Sequence, residues 1–395
     1  MPHIRGFSAA VDVSSDSYAE WVRRTLLRVR GSAGRVVALF DSSVPEPREM
    51  LAATVASAFT PPISDRYVSA FAGGNRFVVE HLCRQYAVAP AQVICTTGAT
   101  GALSLLYRAL VEPGERILVE TPGFDLFSAF ADLHGIAADR FERRAPDFAI
   151  DLDRIAAALT PRTRLIVLSN LHNPSGAPVA HDAMVALARL ADARGVRVIV
   201  DEVYGDYADA ATRPCPAMQL SPNVISVSSL TKIFGLSTLR CGWIVGDAKV
   251  LAPVRTLADR YEFSISNLAH ATAALVMEDS AAFMAYSHAC LAAARPVVES
   301  AFAAWCGEGL IEGAVPAFGC IAFPRLVDID DTVAFADWLG ERCGVVVAPG
   351  EYFGAPGHVR IGFAQPPADL SFALDALGDG LRAYRKSVVR RSAVG

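Results

Sequence analysis

One lysine in this chain stands among residues that could make its amine reactive. Lys232 follows the apolar run Val224–Val227 and the small polar residues Ser228, Ser229 and Thr231, and Arg240 lies eight residues further on. A lysine held among apolar groups gives up its proton and can attack a carbonyl as a free amine. The Ser229 hydroxyl and the Arg240 guanidinium are groups that a phosphate dianion uses. Asp201 ends a second apolar run, where an unpaired carboxylate is costly to bury. It could face a ring nitrogen and keep it protonated, or it could cap a helix or pair with an arginine. Tyr204, three residues later, and Asn173, in His172-Asn173-Pro174-Ser175-Gly176, could both donate to a phenolate oxygen. Taken alone, that Asn-Pro-Ser-Gly stretch is an ordinary turn.

The stretch Gly98-Ala99-Thr100-Gly101 offers free backbone N–H groups at the start of a helix, where an anion is favoured. It also looks like the opening of a dinucleotide fingerprint. The third glycine of that fingerprint is missing near Ser104, and no Tyr-x-x-x-Lys pair occurs, so the dinucleotide reading is set aside.

Five short β-branched runs must position these residues: Gln92–Cys95, Arg116–Glu120, Leu165–Ser169, Val196–Val200 and Val224–Val227. Each is nearly all apolar and is separated from the next by helix-length sequence, the pattern of buried strands in a largely parallel sheet. Ligands in such sheets bind beyond the carboxyl ends of the strands. Here those ends deliver a glycine loop, Phe124, Asn173, Asp201 with Tyr204, and Lys232. The reading is an α/β domain over 45–275 with a mostly parallel central sheet. A smaller α+β domain combines 1–44 with 276–395. Tyr18 to Arg30 reads as an amphipathic surface helix that packs its Trp21, Leu26, Leu27 and Val29 side.

The chain has 395 residues, 52% hydrophobic and 19% charged, a folded composition rather than a disordered one. A net charge of -5 argues against nucleic acid as the main partner. No apolar stretch reaches the roughly 18 residues that span a bilayer, so no membrane partner is expected. Met1 to Ser17 has no apolar core of a leader, and the eight cysteines form no CxxC pair or zinc spacing. They read as reduced thiols, no metal site is expected, and the cytoplasm is the expected compartment.

Gly98-Ala99-Thr100, Phe124, Asn173-Pro174-Ser175-Gly176, Asp201-Glu202-Val203-Tyr204, Ser229-Leu230-Thr231-Lys232, Arg240 and Val359-Arg360-Ile361 occur in an order and spacing that resemble the class I/II aminotransferases. These are fold-type-I enzymes that use pyridoxal 5'-phosphate. The resemblance runs from about Asp41 to Phe363. It implies that Lys232 forms the internal aldimine and shuttles the α-proton, and that Asp201 pairs with the ring nitrogen. Asn173 and Tyr204 would hold the cofactor's 3'-oxygen, Phe124 would stack on the ring, and Ala99, Thr100, Ser229 and Arg240 would form the phosphate cup. Arg360 would grip the substrate α-carboxylate, with Asn173 beside it.

Members are usually homodimers with interface sites, and Tyr67 is the candidate for reaching the partner's phosphate. Where the family often has Gly-x-Pro, this chain has Ser43-Val44-Pro45, so Ser43 is expected to narrow the pocket or touch substrate. The implied reaction moves an amino group from an L-amino acid to a 2-oxo acid. A β-lyase or amino-acid cyclase on the same fold is the alternative. Phe124, Phe127, Leu171 and Cys241 point to a neutral or aromatic donor. A DNA-binding regulator is set aside, because the residues ahead of position 45 are too few for such a domain with its linker.

Overall fold

The computed structural model describes residues 17–31, 35–69, 73–261 and 265–392. The leader reading of Met1 to Asp16 and the side chain of Val29 lie outside the described residues. The apolar runs become strands β1 (Val93–Thr97), β2 (Arg116–Thr121), β4 (Thr163–Ser169), β5 (Arg197–Asp201) and β6 (Val224–Ser229). Two further strands, β3 (Ala137–Glu142) and β7 (Cys241–Val245), complete a seven-stranded sheet ordered β1-β7-β6-β5-β4-β2-β3. All pairs from β6 to β3 are parallel. Only β7 runs antiparallel to its neighbours, β1 and β6.

Successive residues of a strand point to opposite faces, and here both faces are covered. Ile117, Val119, Leu165, Val167, Ile199 and Val227 pack with Leu103, Leu106, Leu251 and Val254 on one side. Leu118, Ile166, Leu168, Val198 and Val200 pack with Met184, Leu187 and Ala191 on the other. Each such buried side chain contributes roughly 1.5–3 kcal/mol. Burial on two faces is why these runs carry no polar alternation.

A separate core joins the two ends of the chain. Val37 and Leu39 pack with Val298 and Phe302, with Phe335 and Leu339, with Val359 and Ile361, and with Leu374 and Leu377. Val37 and Ala38 pair in parallel with Val345 and Val346. The strand β8 (Val359–Gly362), which carries Arg360, lies between two antiparallel partners, Ile321–Ala322 and Ala348–Pro349.

The first helix, α1 (Tyr18–Gly31), departs from the sequence reading. Its buried side is Trp21 and Thr25, with Tyr18 half-buried, while Leu26 and Leu27 are exposed. An aromatic cluster decides this: Tyr18 stacks on Trp21 at 5.8 Å, and Trp21 meets Phe40 edge-on at 5.5 Å. Among the described residues, no helix is long and apolar enough to cross a membrane.

Candidate active site

The carboxyl ends of β1, β4, β5 and β6 open on one cavity of about 270 Å³. Ala99, Thr100, Phe124, Asn173, Asp201, Tyr204, Ser229, Lys232, Arg240 and Arg360 all line it. Residues spread over more than 260 positions of sequence thus face a single space. Tyr18, Phe40, Asp41 and Ser42 complete the wall.

Lys232 follows β6 directly, and its Nζ donates to Ser42 Oγ at 2.8 Å. Burial lowers the Lys232 pKa, with Asp41 opposing and Arg360 reinforcing the shift. The amine is therefore biased towards its free, nucleophilic form. Asp201, the last residue of β5, accepts from Val203 N at 3.1 Å. Burial raises its pKa to about 7, against an ordinary value of 3.8. Among the described residues, the buried Tyr204 hydroxyl, which faces Ser42, makes no hydrogen bond of ordinary geometry, although buried hydroxyls are normally satisfied.

The glycine loop is shaped around Arg240. Gly98 has φ of 74°, and a Cβ there would come within 2.6 Å of Arg240 Nη2. A side chain at position 98 would push the guanidinium aside and would sit on a left-handed backbone that glycine adopts without strain. Arg240 Nη2 donates to Thr100 Oγ1 at 3.2 Å, so the cation and the N-terminus of helix α2 (Gly98–Leu110) meet at one place. Across the cavity, Arg360 is buried. Its Nη1 donates to Asn173 Oδ1 at 2.8 Å and its Nη2 to Phe40 O at 3.0 Å and to the Tyr18 hydroxyl. Among the described residues its Nε has no partner.

Behind Asn173 lies a buried polar network that the sequence reading missed. Arg143 Nη1 pairs with Glu120 Oε2 at 2.8 Å, and neither side chain is exposed. Glu120 Oε1 accepts from Ser169 N at 2.8 Å and from the Ser169 hydroxyl. That hydroxyl in turn accepts from Asn173 N at 2.9 Å. The signal was present: Glu120 is an acid closing an apolar run. Arg143→Met should leave Glu120 buried without its cation and destabilise the fold by about 3–5 kcal/mol, read by urea unfolding.

One expected residue is placed elsewhere. Ser43 does not line the cavity; Ser42 does. Phe40, Asp41 and Ser42 line the wall one after another, and the chain bends at Ser43, which carries that serine off the wall. Tyr67 stands outside its own chain's cavity, 47% exposed and edge-on to Phe59 at 5.4 Å. Sequence reading also passed over Tyr18, which had been assigned to a surface helix.

The donor set fits pyridoxal 5'-phosphate. The Tyr204 hydroxyl and the Asn173 amide suit its ring oxygen. The Asp201 carboxylate suits its ring nitrogen. The glycine loop with Thr100, Ser229 and Arg240 suits its phosphate, and the Lys232 amine suits its aldehyde.

Comparison with known proteins agrees in kind. The family described as aminotransferase class I and II matches residues 76–377. Capreomycidine synthase of Streptomyces vinaceus is 33% identical over 303 residues, 75% of this chain and 76% of the synthase. A probable N-succinyldiaminopimelate aminotransferase of Mycobacterium tuberculosis is 30% identical over 279 residues, 67% of this chain and 68% of that enzyme. In fold, the chain is similar to aspartate aminotransferase from Thermus thermophilus with maleate, at a TM-score of 0.83 and 24% identity, over 95% of this chain and all of the other.

Proposed function

The chain belongs to the class I and II aminotransferases, fold-type-I enzymes that depend on pyridoxal 5'-phosphate, and from that premise we propose that it moves an amino group from an L-amino acid to a 2-oxo acid. One observation carries the reading: the Lys232 amine, the Asp201 carboxylate and the Arg360 guanidinium face a single cavity. When bound, the cofactor supplies an aldehyde and a ring that accepts the electron pair left when the α-proton departs. Lys232 anchors it and carries that proton. Asp201 keeps the ring nitrogen protonated. Thr100, Ser229 and Arg240 hold the phosphate, and Asn173 and Tyr204 hold the ring oxygen. Arg360 fixes the substrate by its α-carboxylate and so decides which bond at the α-carbon is presented for breaking.

Val22, Phe40 and Phe124 give the substrate end an apolar wall, which supports a neutral or aromatic donor. The working unit is a homodimer in the cytoplasm. Val55, Ile63, Tyr67 and Leu268, on segments that pack on each other, are exposed apolar groups suited to that interface. Tyr67 reaches the partner's phosphate from there.

The test is a panel of amino donors with 2-oxoglutarate and pyruvate as acceptors, followed by the new oxo acid. Amino transfer to either acceptor supports the reading. Ammonia released without any acceptor would replace it with a lyase. Arg360→Lys checks the carboxylate grip. A lysine cannot make the two parallel hydrogen bonds of a guanidinium. A lost charge-assisted pair is worth about 1.5–3 kcal/mol, so KM should rise roughly tenfold or more for amino acid and oxo acid alike. Cofactor affinity should stay near wild type, because Arg240 holds the phosphate.

A further inference from the structure

We propose that Ser42 is a positioning residue for Lys232, its hydroxyl holding the free amine where that amine can carry the substrate's α-proton. This rests on the reading of Lys232 as the proton carrier. The contact is direct: Nζ donates to Ser42 Oγ at 2.8 Å, and Ser42 is buried on the wall of the same cavity. The other end of the residue is held separately, since the Lys232 carbonyl accepts from the Tyr207 hydroxyl at 3.0 Å. Backbone and tip are thus both fixed, and only the four-carbon stem lies between them.

The segment that carries Ser42 also holds the carboxylate grip. Phe40 O accepts from Arg360 Nη2 at 3.0 Å, and Leu39 O accepts from Gly362 N at 2.6 Å. A Cβ at Gly362 would run into Asp41 O at 1.5 Å, so no other residue fits beside that segment. Residues 39–42 therefore set the proton carrier and the carboxylate site in one frame. Asp41, Arg360, Cys320, Tyr18, Asp201 and Tyr204 are charged or titratable groups that face the amine.

The chemistry gives this contact a task. The amine is free again once the substrate has taken its place on the cofactor. It then has one lone pair and two N–H groups. With one N–H on Ser42, rotation about Cε–Nζ is restricted and the lone pair sweeps a smaller arc. With the cofactor bound to accept the electron pair of the α C–H bond, the Lys232 lone pair would take the proton and become an ammonium. That ammonium donates to Ser42 more strongly than the amine did. The same proton is later returned to carbon, which restores the amine.

Two measurements test this. In the apoprotein, competitive acylation with acetic anhydride, read by peptide mass, reports the freedom and protonation of Lys232. Ser42→Ala removes the acceptor that favours the ammonium, so labelling of Lys232 at neutral pH should rise several-fold. In the loaded enzyme, exchange of an amino acid's α-hydrogen with solvent deuterium, read by NMR, should slow roughly tenfold in Ser42→Ala. The half-saturating concentration should change less than twofold. Ser42→Thr keeps the hydroxyl and should restore most of the rate. Unchanged labelling together with unchanged exchange would overturn the proposal. So would a Ser42→Ala enzyme that exchanges normally but saturates at higher substrate, since Ser42 would then be a substrate contact. A wild-type enzyme that exchanges no α-hydrogen would instead refute the proton-carrier reading of Lys232, and the apoprotein labelling alone would then decide whether Ser42 governs the amine.

Discussion

Replacing Lys232 with alanine is expected to lower amino transfer by on the order of 10⁴-fold, the upper end of what a positioned acid–base group contributes, while the apoprotein still unfolds near the wild-type temperature. The rate falls because one residue is assigned two tasks, anchoring the cofactor and carrying the proton. The fold survives for a separate reason. Burial already lowers the Lys232 pKa, so its amine adds little net stability and its removal costs little. Borohydride reduction followed by peptide mass analysis is decisive here, because the chain has only two other lysines, Lys249 and Lys386. A cofactor-sized mass on Lys232 in the wild type, and on neither other lysine in the variant, is the expected pattern. An adduct on Lys249 or Lys386 would refute the assignment.

Asp201→Asn should produce two opposite effects. Turnover of the loaded enzyme should fall by orders of magnitude, because a neutral ring nitrogen makes a poor electron sink. The apoprotein, in contrast, should become more stable at pH 8. In the folded apoprotein burial raises the Asp201 pKa to about 7, from 3.8. Below pH 4 the carboxyl is protonated in both folded and unfolded chains and carries no penalty. Between pH 4 and 7 the unfolded chain releases its proton first, so the wild type loses stability as pH rises. Above pH 7 the loss is complete, roughly 4 kcal/mol at 1.36 kcal/mol per unit. Asparagine is neutral throughout and escapes it. Unfolding of both apoproteins from pH 4 to 8 should show curves that diverge with rising pH. Parallel curves would mean that Asp201 is already ionised against a partner. Cofactor loading should close the gap, because a protonated ring nitrogen compensates the buried carboxylate.

Much of this site could be read along the chain because buried parallel strands are continuous apolar runs, and their last residues are where polarity resumes. Asp201, Ser229 and Lys232 stand out for that reason. β3 did not stand out. Its sequence, Ala137-Ala138-Asp139-Arg140-Phe141-Glu142, mixes charge with apolar groups because it is an edge strand. Only a single 3-10 turn, Ser237–Leu239, separates β6 from β7, so β7 breaks the alternation with long helices that marked the others. Ser42 and Tyr18 were hidden differently. The irregular segment before Pro45 has no period that fixes which serine turns inward. An amphipathic helix reveals that it has a buried side, yet the partner that selects that side, here Phe40 and Arg360, lies far away in sequence.

The joining of both chain ends in one core also orders the molecule's assembly during synthesis. The sheet is complete once β7 has emerged, and with it the lysine, the aspartate and the glycine loop. Val37 and Ala38 still wait for Val345 and Val346, and Phe40 waits for Arg360. Contacts this distant in sequence close last. A nascent chain that has just passed β7 carries Asn173, Asp201 and Lys232 but lacks Arg360, and it also lacks Phe283, Cys320 and Ile321, which share a buried core with Tyr204. The proposed carboxylate grip comes only with the final third of the polypeptide, which holds Arg360 and the residues that close the core beside Tyr204.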